Sequence, residues 1–256
     1  MMDLVHRIVA YLKDGLAPHV LADMFIIGLI STFGWFIKRT TFGQSYREAE
    51  VHLKRGKALQ EAERFVEARE EIDRSIKILE DRKRNRLLAE AYLRLGDIDM
   101  NLKQWQSAIH HYTLAKEEAI TAKKTSMLDM VYLRLGVACK MDGDLNQACA
   151  WIDQARMLQE RTQDNPLLGE TYEKLGEIDA RRGLSDTAIN YYLRSLAYQE
   201  RIRDRRSQAG IHASLGDLYS RKQMAKEARD HYQAARDLYD EVGDTIVAGM
   251  CAQKAS

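Results

Sequence analysis

Apolar and small residues recur along most of this chain at a fixed spacing of forty. The fixed points are glycines. Gly96, Gly136, Gly176 and Gly216 each follow a leucine, and one further step back reaches Gly56, behind Arg55. Twelve residues after each glycine stands an alanine: Ala68, Ala108, Ala148, Ala188 and Ala228. Sixteen after it comes a large side chain, Ile72, Tyr112, Ile152, Tyr192 or Tyr232, and nineteen after it a small one, Ser75, Ala115, Ala155, Ser195 or Ala235. His52, Tyr92, Tyr132, Tyr172 and His212 stand four residues before the glycines. Steps of three and four within each half-repeat are helical spacing, so each repeat reads as two helices joined by a turn.

Glycine inside a helix is worse than alanine by about 0.8–1 kcal/mol. The same penalty at five equivalent places implies one common reason, a close approach between the glycine-bearing helix and the alanine-bearing one. Turn chemistry falls between those columns, in Asp142-Gly143-Asp144 and Arg182-Gly183. Asp144 with Gln147 has the form of a capping box, and Asn165-Pro166 supplies an N-cap and an N1 proline for the following repeat. After Asp240, Gly243-Asp244 opens a last short helix, about Thr245 to Lys254. Ile246, Val247, Met250 and Cys251 give it a packing face, and its polar end suits a cap on the array.

The first 48 residues follow a different pattern. Leu4, Val5, Ile8, Val9, Leu12 and Leu16 have the spacing of an amphipathic helix, which could lie on a bilayer or on a partner subunit. Residues 20–37 form an apolar run with the single charge Asp23. A helix of that length spans about 27 Å against a hydrocarbon core of about 30 Å. Met24, Phe25, Ile26, Ile27, Leu29, Ile30, Phe33, Trp35, Phe36 and Ile37 make it an expected membrane anchor. Trp35 and Phe36, followed by Lys38-Arg39, give an aromatic belt and a basic stop. The positive-inside rule then puts the repeats on the cytoplasmic side of a single-pass chain. A hydrophobic helix buried in a partner protein or against the first repeat is the other reading of the run.

The expected organisation is therefore an amphipathic segment (1–19), an anchor helix (20–37), a linker (38–44), five repeats (about 45–84, 85–124, 125–164, 165–204 and 205–240) and a capping helix (241–256). The chain is 45% hydrophobic and 30% charged with two prolines, which fits helices with a large core. Net charge is +1, from 39 basic and 38 acidic residues, so no global field draws nucleic acid to it. Cys139, Cys149 and Cys251 have no metal or disulfide-framework spacing and read as small core residues.

Tyr132, Leu135-Gly136, Ala148, Ile152 and Ala155 together resemble the tetratricopeptide repeat. The resemblance covers about residues 45–240. Two features depart from the usual form: the period is forty instead of thirty-four, and Glu80, Ile120, Glu160, Glu200 and Asp240 stand near the place of the expected late proline. Such longer repeats are similar to those of cell-polarity adaptors and receptor-clustering scaffolds. The resemblance implies an all-α, right-handed superhelical solenoid whose concave groove binds protein segments.

No phosphate loop, nucleophile elbow or metal-spaced His/Glu pair is present, and adjacent His110 and His111 point about 100° apart on a helix. A non-catalytic protein with no cofactor and no metal is expected. The resemblance puts the position two before each glycine on the groove wall: Lys54, Arg94, Arg134, Lys174, then Ser214. Arg94 and Lys174 have acidic residues three positions on, in Asp97 and Glu177, whereas Arg134 has Val137 there. Either the four cations form a solvated, self-paired wall, or Arg134 and Lys54 anchor an acidic peptide or C-terminal carboxylate. The family's chaperone-tail clamp is not carried over, because Leu53, Leu93 and Leu133 occupy its columns.

Two functions fit. One is a membrane-anchored adaptor that gathers protein partners at a membrane surface. The other is a structural subunit or assembly factor of a membrane complex, its residues 1–40 packed on transmembrane partner helices through Gly28, Thr32 and Gly34.

Overall fold

The computed structural model describes residues 44–80, 85–123, 125–161 and 167–255. The amphipathic segment, the anchor run, linker residues 38–43 and the Asn165-Pro166 pair lie outside the described residues. No helix among the described residues is long and apolar enough to cross a membrane.

Eleven α-helices are described: α1 (residues 44–61), α2 (Phe65–Glu80), α3 (Asn85–Asn101), α4 (Trp105–Thr121), α5 (Leu128–Asp142), α6 (Leu145–Gln159), α7 (Leu168–Arg181), α8 (Ser185–Ile202), α9 (Arg205–Arg221), α10 (Ala225–Glu241) and α11 (Thr245–Ala255). A single 3-10 turn, Thr125–Met127, precedes α5. Each odd-numbered helix from α1 to α9 carries a glycine of the repeat and packs against the even-numbered helix that follows. Each even-numbered helix also packs on the next odd one, so five hairpins stack in sequence order and α11 rests on α10.

The turn inside each hairpin is built the same way five times. The residue eight after the repeat glycine donates its N–H to the carbonyl three after it: Arg64 to Leu59, Gln104 to Asp99, Asp144 to Cys139, Leu184 to Asp179 and Met224 to Tyr219, at 2.8–3.0 Å. This is the six-to-one bond of a Schellman cap, which needs a left-handed residue just before it. Gly143 and Gly183 fill that place twice, but Glu63, Lys103 and Gln223 occupy it at φ 57–60°. The sequence marks only the two glycines. Half of the expected capping box forms: the Asp144 side chain accepts from the Gln147 N–H at 2.8 Å, while the Gln147 amide oxygen accepts from the Cys139 thiol.

Between the helices of a hairpin, the large residue sixteen after the glycine lies over it. A Cβ at residue 56 would stand 2.6 Å from Ile72 Cγ1, and one at residue 216 would stand 2.6 Å from Tyr232 Cδ1. The glycine therefore makes room chiefly for the large column, although the carbonyl of Ala148 also comes within 2.9 Å of where a Cβ on residue 136 would be. The alanine and small columns are buried throughout. Where the small residue is serine, its hydroxyl donates to the facing helix, Ser75 to the Ala49 carbonyl at 2.8 Å and Ser195 to that of Gly169 at 2.7 Å.

A second ladder runs through the column four before the glycine. His52 bonds Glu71 at 2.8 Å, Tyr92 stacks on His111, Tyr132 on Trp151 and Tyr172 on Tyr191, and His212 Nδ1 lies 2.9 Å from His231 Nδ1. Each pair joins the two helices of one hairpin, which accounts for aromatic and histidine residues in that column as packing.

The last helix differs from expectation. Ala248 and Cys251 carry its packing, whereas Ile246 is 79% and Met250 59% exposed. The packing face of α11 is therefore narrower than its four apolar positions suggest.

Candidate protein-binding groove

Positions −6, −2, +1 and +5 from the repeat glycine share one face of each odd-numbered helix. On α1 they are Glu50, Lys54, Lys57 and Glu61; on α3, Glu90, Arg94, Asp97 and Asn101. On α5 they are Met130, Arg134, Val137 and Met141; on α7, Glu170, Lys174, Glu177 and Arg181. Side by side, these faces form the wall on which the sequence set its row of cations. The clamp columns Leu53, Leu93 and Leu133 are instead buried, so no clamp faces this wall.

The four cations have different surroundings. Lys54 Nζ is paired with Glu50 at 2.9 Å in an exposed i,i+4 pair, an arrangement that contributes only a few tenths of a kcal/mol. Lys174 Nζ lies 2.7 Å from Glu177 and 3.3 Å from Glu173. Lys140, almost fully buried, crosses from α5 to the same Glu177. Burial pushes the Glu177 carboxyl up, but Lys174 and Lys140 outweigh it and hold the group below its ordinary value.

Arg94 and Arg134 come together. They line one cleft of about 340 Å³ with Gln60, Asp97, Met100, Asn101, Tyr112 and Val137, contributed by α1, α3, α4 and α5. Arg134 has no acidic residue three or four positions away on its own helix, yet its Nε reaches back across the repeat boundary to within 3.6 Å of Asp97 Oδ1. Arg94 Nη1 stands 4.0 Å from Asp97 Oδ2. The Tyr112 hydroxyl donates to Asp97 at 2.8 Å, and burial together with that carboxylate keeps the phenol protonated far above its usual range.

The same crossing recurs at the end of the array. Lys254 Nζ lies 2.6 Å from Asp217, which accepts from the Tyr232 hydroxyl at 2.7 Å. Lys254 is a further member of the cation column, forty residues beyond Ser214 and thirty-seven beyond Asp217. Counting one more period would have found it. The role of Asp97 as a shared counter-ion was not visible, because its partner Arg134 belongs to the next repeat.

A separate charged cluster lies inside the stack. Asp99, fully buried on α3, accepts from Arg69 on α2 and from His111 on α4, at 2.6 Å for the histidine. Among the described residues, no three His, Cys, Asp or Glu side chains converge as a metal site would require.

No protein-family model and no curated protein matches the sequence. Solved structures do match in fold. MamA is similar at 19% identity and a TM-score of 0.58, over 77% of this chain and 94% of its own. The TPR-like repeats of a putative kinesin light chain from Podosopora anserina reach a TM-score of 0.65 at 15% identity, over 78% of this chain and 98% of theirs. YrrB, described as a TPR protein with an unusual peptide-binding site, gives 0.57 at 16% identity over 85% and 97%. At such identities the likeness is one of fold. Among the described residues the fold is an all-α solenoid of tetratricopeptide type.

Proposed function

We propose that this protein is a non-catalytic scaffold that binds protein partners through the odd-helix wall and is held at a membrane by residues 20–37. The observation that carries the reading is the open cleft of about 340 Å³ joining α1, α3 and α5, lined by both guanidinium and apolar groups. Solvent-facing charged and apolar side chains on a rigid repeat scaffold suit recognition of a peptide or protein segment. YrrB and a Rap protein complexed with Competence and Sporulation Factor are solved structures of this fold whose descriptions name a peptide-binding site or a bound factor. Acidic partner segments fit the cation column. The forty-residue period adds a likeness to adaptor-type repeats.

The apolar run, its aromatic belt and Lys38-Arg39 support single-pass anchoring with the repeats in the cytoplasm. Anchoring raises the effective concentration of a weak binder toward partners on the same surface. Proximity labelling with and without residues 1–42 tests the proposal. The full chain should label membrane-associated proteins and sediment with membranes, and the truncated chain should do neither. An unchanged distribution would remove the anchor.

The exposed Ile246 and Met250 favour a second reading, a subunit or assembly factor with α11 against another chain. Gentle detergent extraction separates the two. A subunit co-purifies at fixed stoichiometry with one complex, whereas an adaptor brings several substoichiometric partners.

A further inference from the structure

Two guanidiniums and one carboxylate meet in the cleft between α3 and α5, and the count is unbalanced. Asp97 is within 4.0 Å of Arg94 and 3.6 Å of Arg134, both too long for a direct hydrogen bond. Its Oδ1 is already occupied by the Tyr112 hydroxyl. Each guanidinium carries five donors in a planar fork suited to carboxylates. Arg94 Nε is buried with no acceptor, and Gln60 Oε1, on the same cleft, is buried with no donor. Buried polar groups left unpaired are costly, and a ligand bringing both an acceptor and a donor would relieve them.

The neighbouring α5 face sets the rest of the chemistry. Met130, Val137 and Met141 share the α5 face with Arg134, and this face carries no carboxylate, unlike the corresponding faces of α1, α3 and α7. Met100 and Val137 line the cleft itself. A bound acidic group would therefore have flexible apolar surface next to it, of the kind methionine supplies. Lys54 and Lys174 are not part of this arrangement, since Glu50, Glu173 and Glu177 already engage them. A polyphosphate backbone would meet Glu90, Asp97 and Glu170 along the same wall.

We infer that this cleft is a receptor for a peptide segment carrying an acidic residue next to an apolar one. The acidic side chain lies between Arg94 and Arg134, a peptide N–H donates to Gln60 Oε1, and the apolar side chain covers Met100 and Val137. The inference rests on the groove reading above and narrows it from four cations to two.

The test uses the full chain in detergent micelles and a fluorescein-labelled decapeptide of glycine and serine that contains one Glu-Leu pair. Anisotropy titration should give binding at least about tenfold tighter than for the Gln-Leu or Glu-Ser peptides, and weaker as salt rises. Arg94→Gln with Arg134→Gln should abolish the preference. Asp97→Asn, which keeps an acceptor for Tyr112, should tighten binding about threefold or more by removing the internal competitor. Circular dichroism of each variant checks that the helices persist. Equal affinity for the three peptides, or an Asp97→Asn variant no tighter than wild type, would overturn the inference. A photocrosslinker at position 137 separates this failure from that of the groove reading. Crosslinked partners that persist in the double arginine variant sink the acidic receptor alone, and absence of any crosslink in the wild-type chain sinks both.

Discussion

Ile152 occupies the space in which a side chain on Gly136 would begin. A Cβ there would run into Ile152 Cγ1 and lie 2.9 Å from the carbonyl oxygen of Ala148. The obstacle is the stem of a β-branched side chain and a backbone atom, neither of which can yield cheaply. At Gly176 the three atoms nearest the corresponding Cβ are all in the Tyr192 ring, at 3.0–3.1 Å.

Gly136→Ala should therefore destabilise by about 1–3 kcal/mol despite the roughly 1 kcal/mol that alanine gains in helix propensity. Gly176→Ala should cost clearly less or be neutral. Urea unfolding followed by circular dichroism measures both, and a Gly136→Ala variant as stable as wild type would contradict the packing described.

Asp99 joins three helices across the first repeat boundary, bonded to Arg69 and His111 from a fully buried position. Burial pushes its carboxyl up, but His111 and Arg69 outweigh that and leave its pKa below the ordinary value. Asp99→Asn should lose about 2–3 kcal/mol, because it leaves Arg69 without its counter-charge. A change under about 0.5 kcal/mol by the same denaturation assay would mean the cluster is a solvated pair.

His212 Nδ1 and His231 Nδ1 lie 2.9 Å apart, with Tyr219 stacked on His231. Burial and the neighbouring imidazole push the His212 pKa down to about 4, and burial also lowers that of His231. The folded state thus binds fewer protons than the unfolded chain, whose histidines titrate near 6.5. The stability from this pair is present above about pH 6.5 and is lost as the pH falls toward 4, by roughly 1–2 kcal/mol after discounting for partial solvent exposure. Melting curves at pH 7.5 and 5 should show a smaller drop for His212→Tyr, which supplies the tyrosine that the three central repeats carry in this column. An equal drop would place the acid sensitivity elsewhere.

Three of the five hairpin turns hold a non-glycine residue in the left-handed region, at Glu63, Lys103 and Gln223. That conformation costs an L-residue about 1 kcal/mol or more, while glycine adds some entropy to the unfolded chain. Lys103→Gly and Gln223→Gly should each raise stability by about 0.5–1 kcal/mol, read as a higher melting temperature. A lower one would show that their side chains hold the turn.

The repeat, its two helices and the identity of the core columns were legible because one packing solution recurs. A helical pair that nests through glycine, alanine and a large residue leaves the same residues at the same spacing five times. Turn positions were legible only where glycine fills them, since Lys103 and Gln223 take up the same backbone without a compositional sign. The cation column was legible as a row, but which of its members share a site was not. Charge neighbours are chosen across repeat boundaries: Asp97 serves Arg134, thirty-seven residues on, and Lys140 reaches Glu177 by the same offset. Local spacing decides which side chains share a helix face, whereas the rotation and approach of successive hairpins decide which faces meet. The sequence by itself determined a stack of paired helices with a small-residue seam. Only the tertiary structure decided that Arg94 and Arg134 converge on one carboxylate and that Ile246 and Met250 stay uncovered, because both depend on distances between helices that no residue pattern specifies.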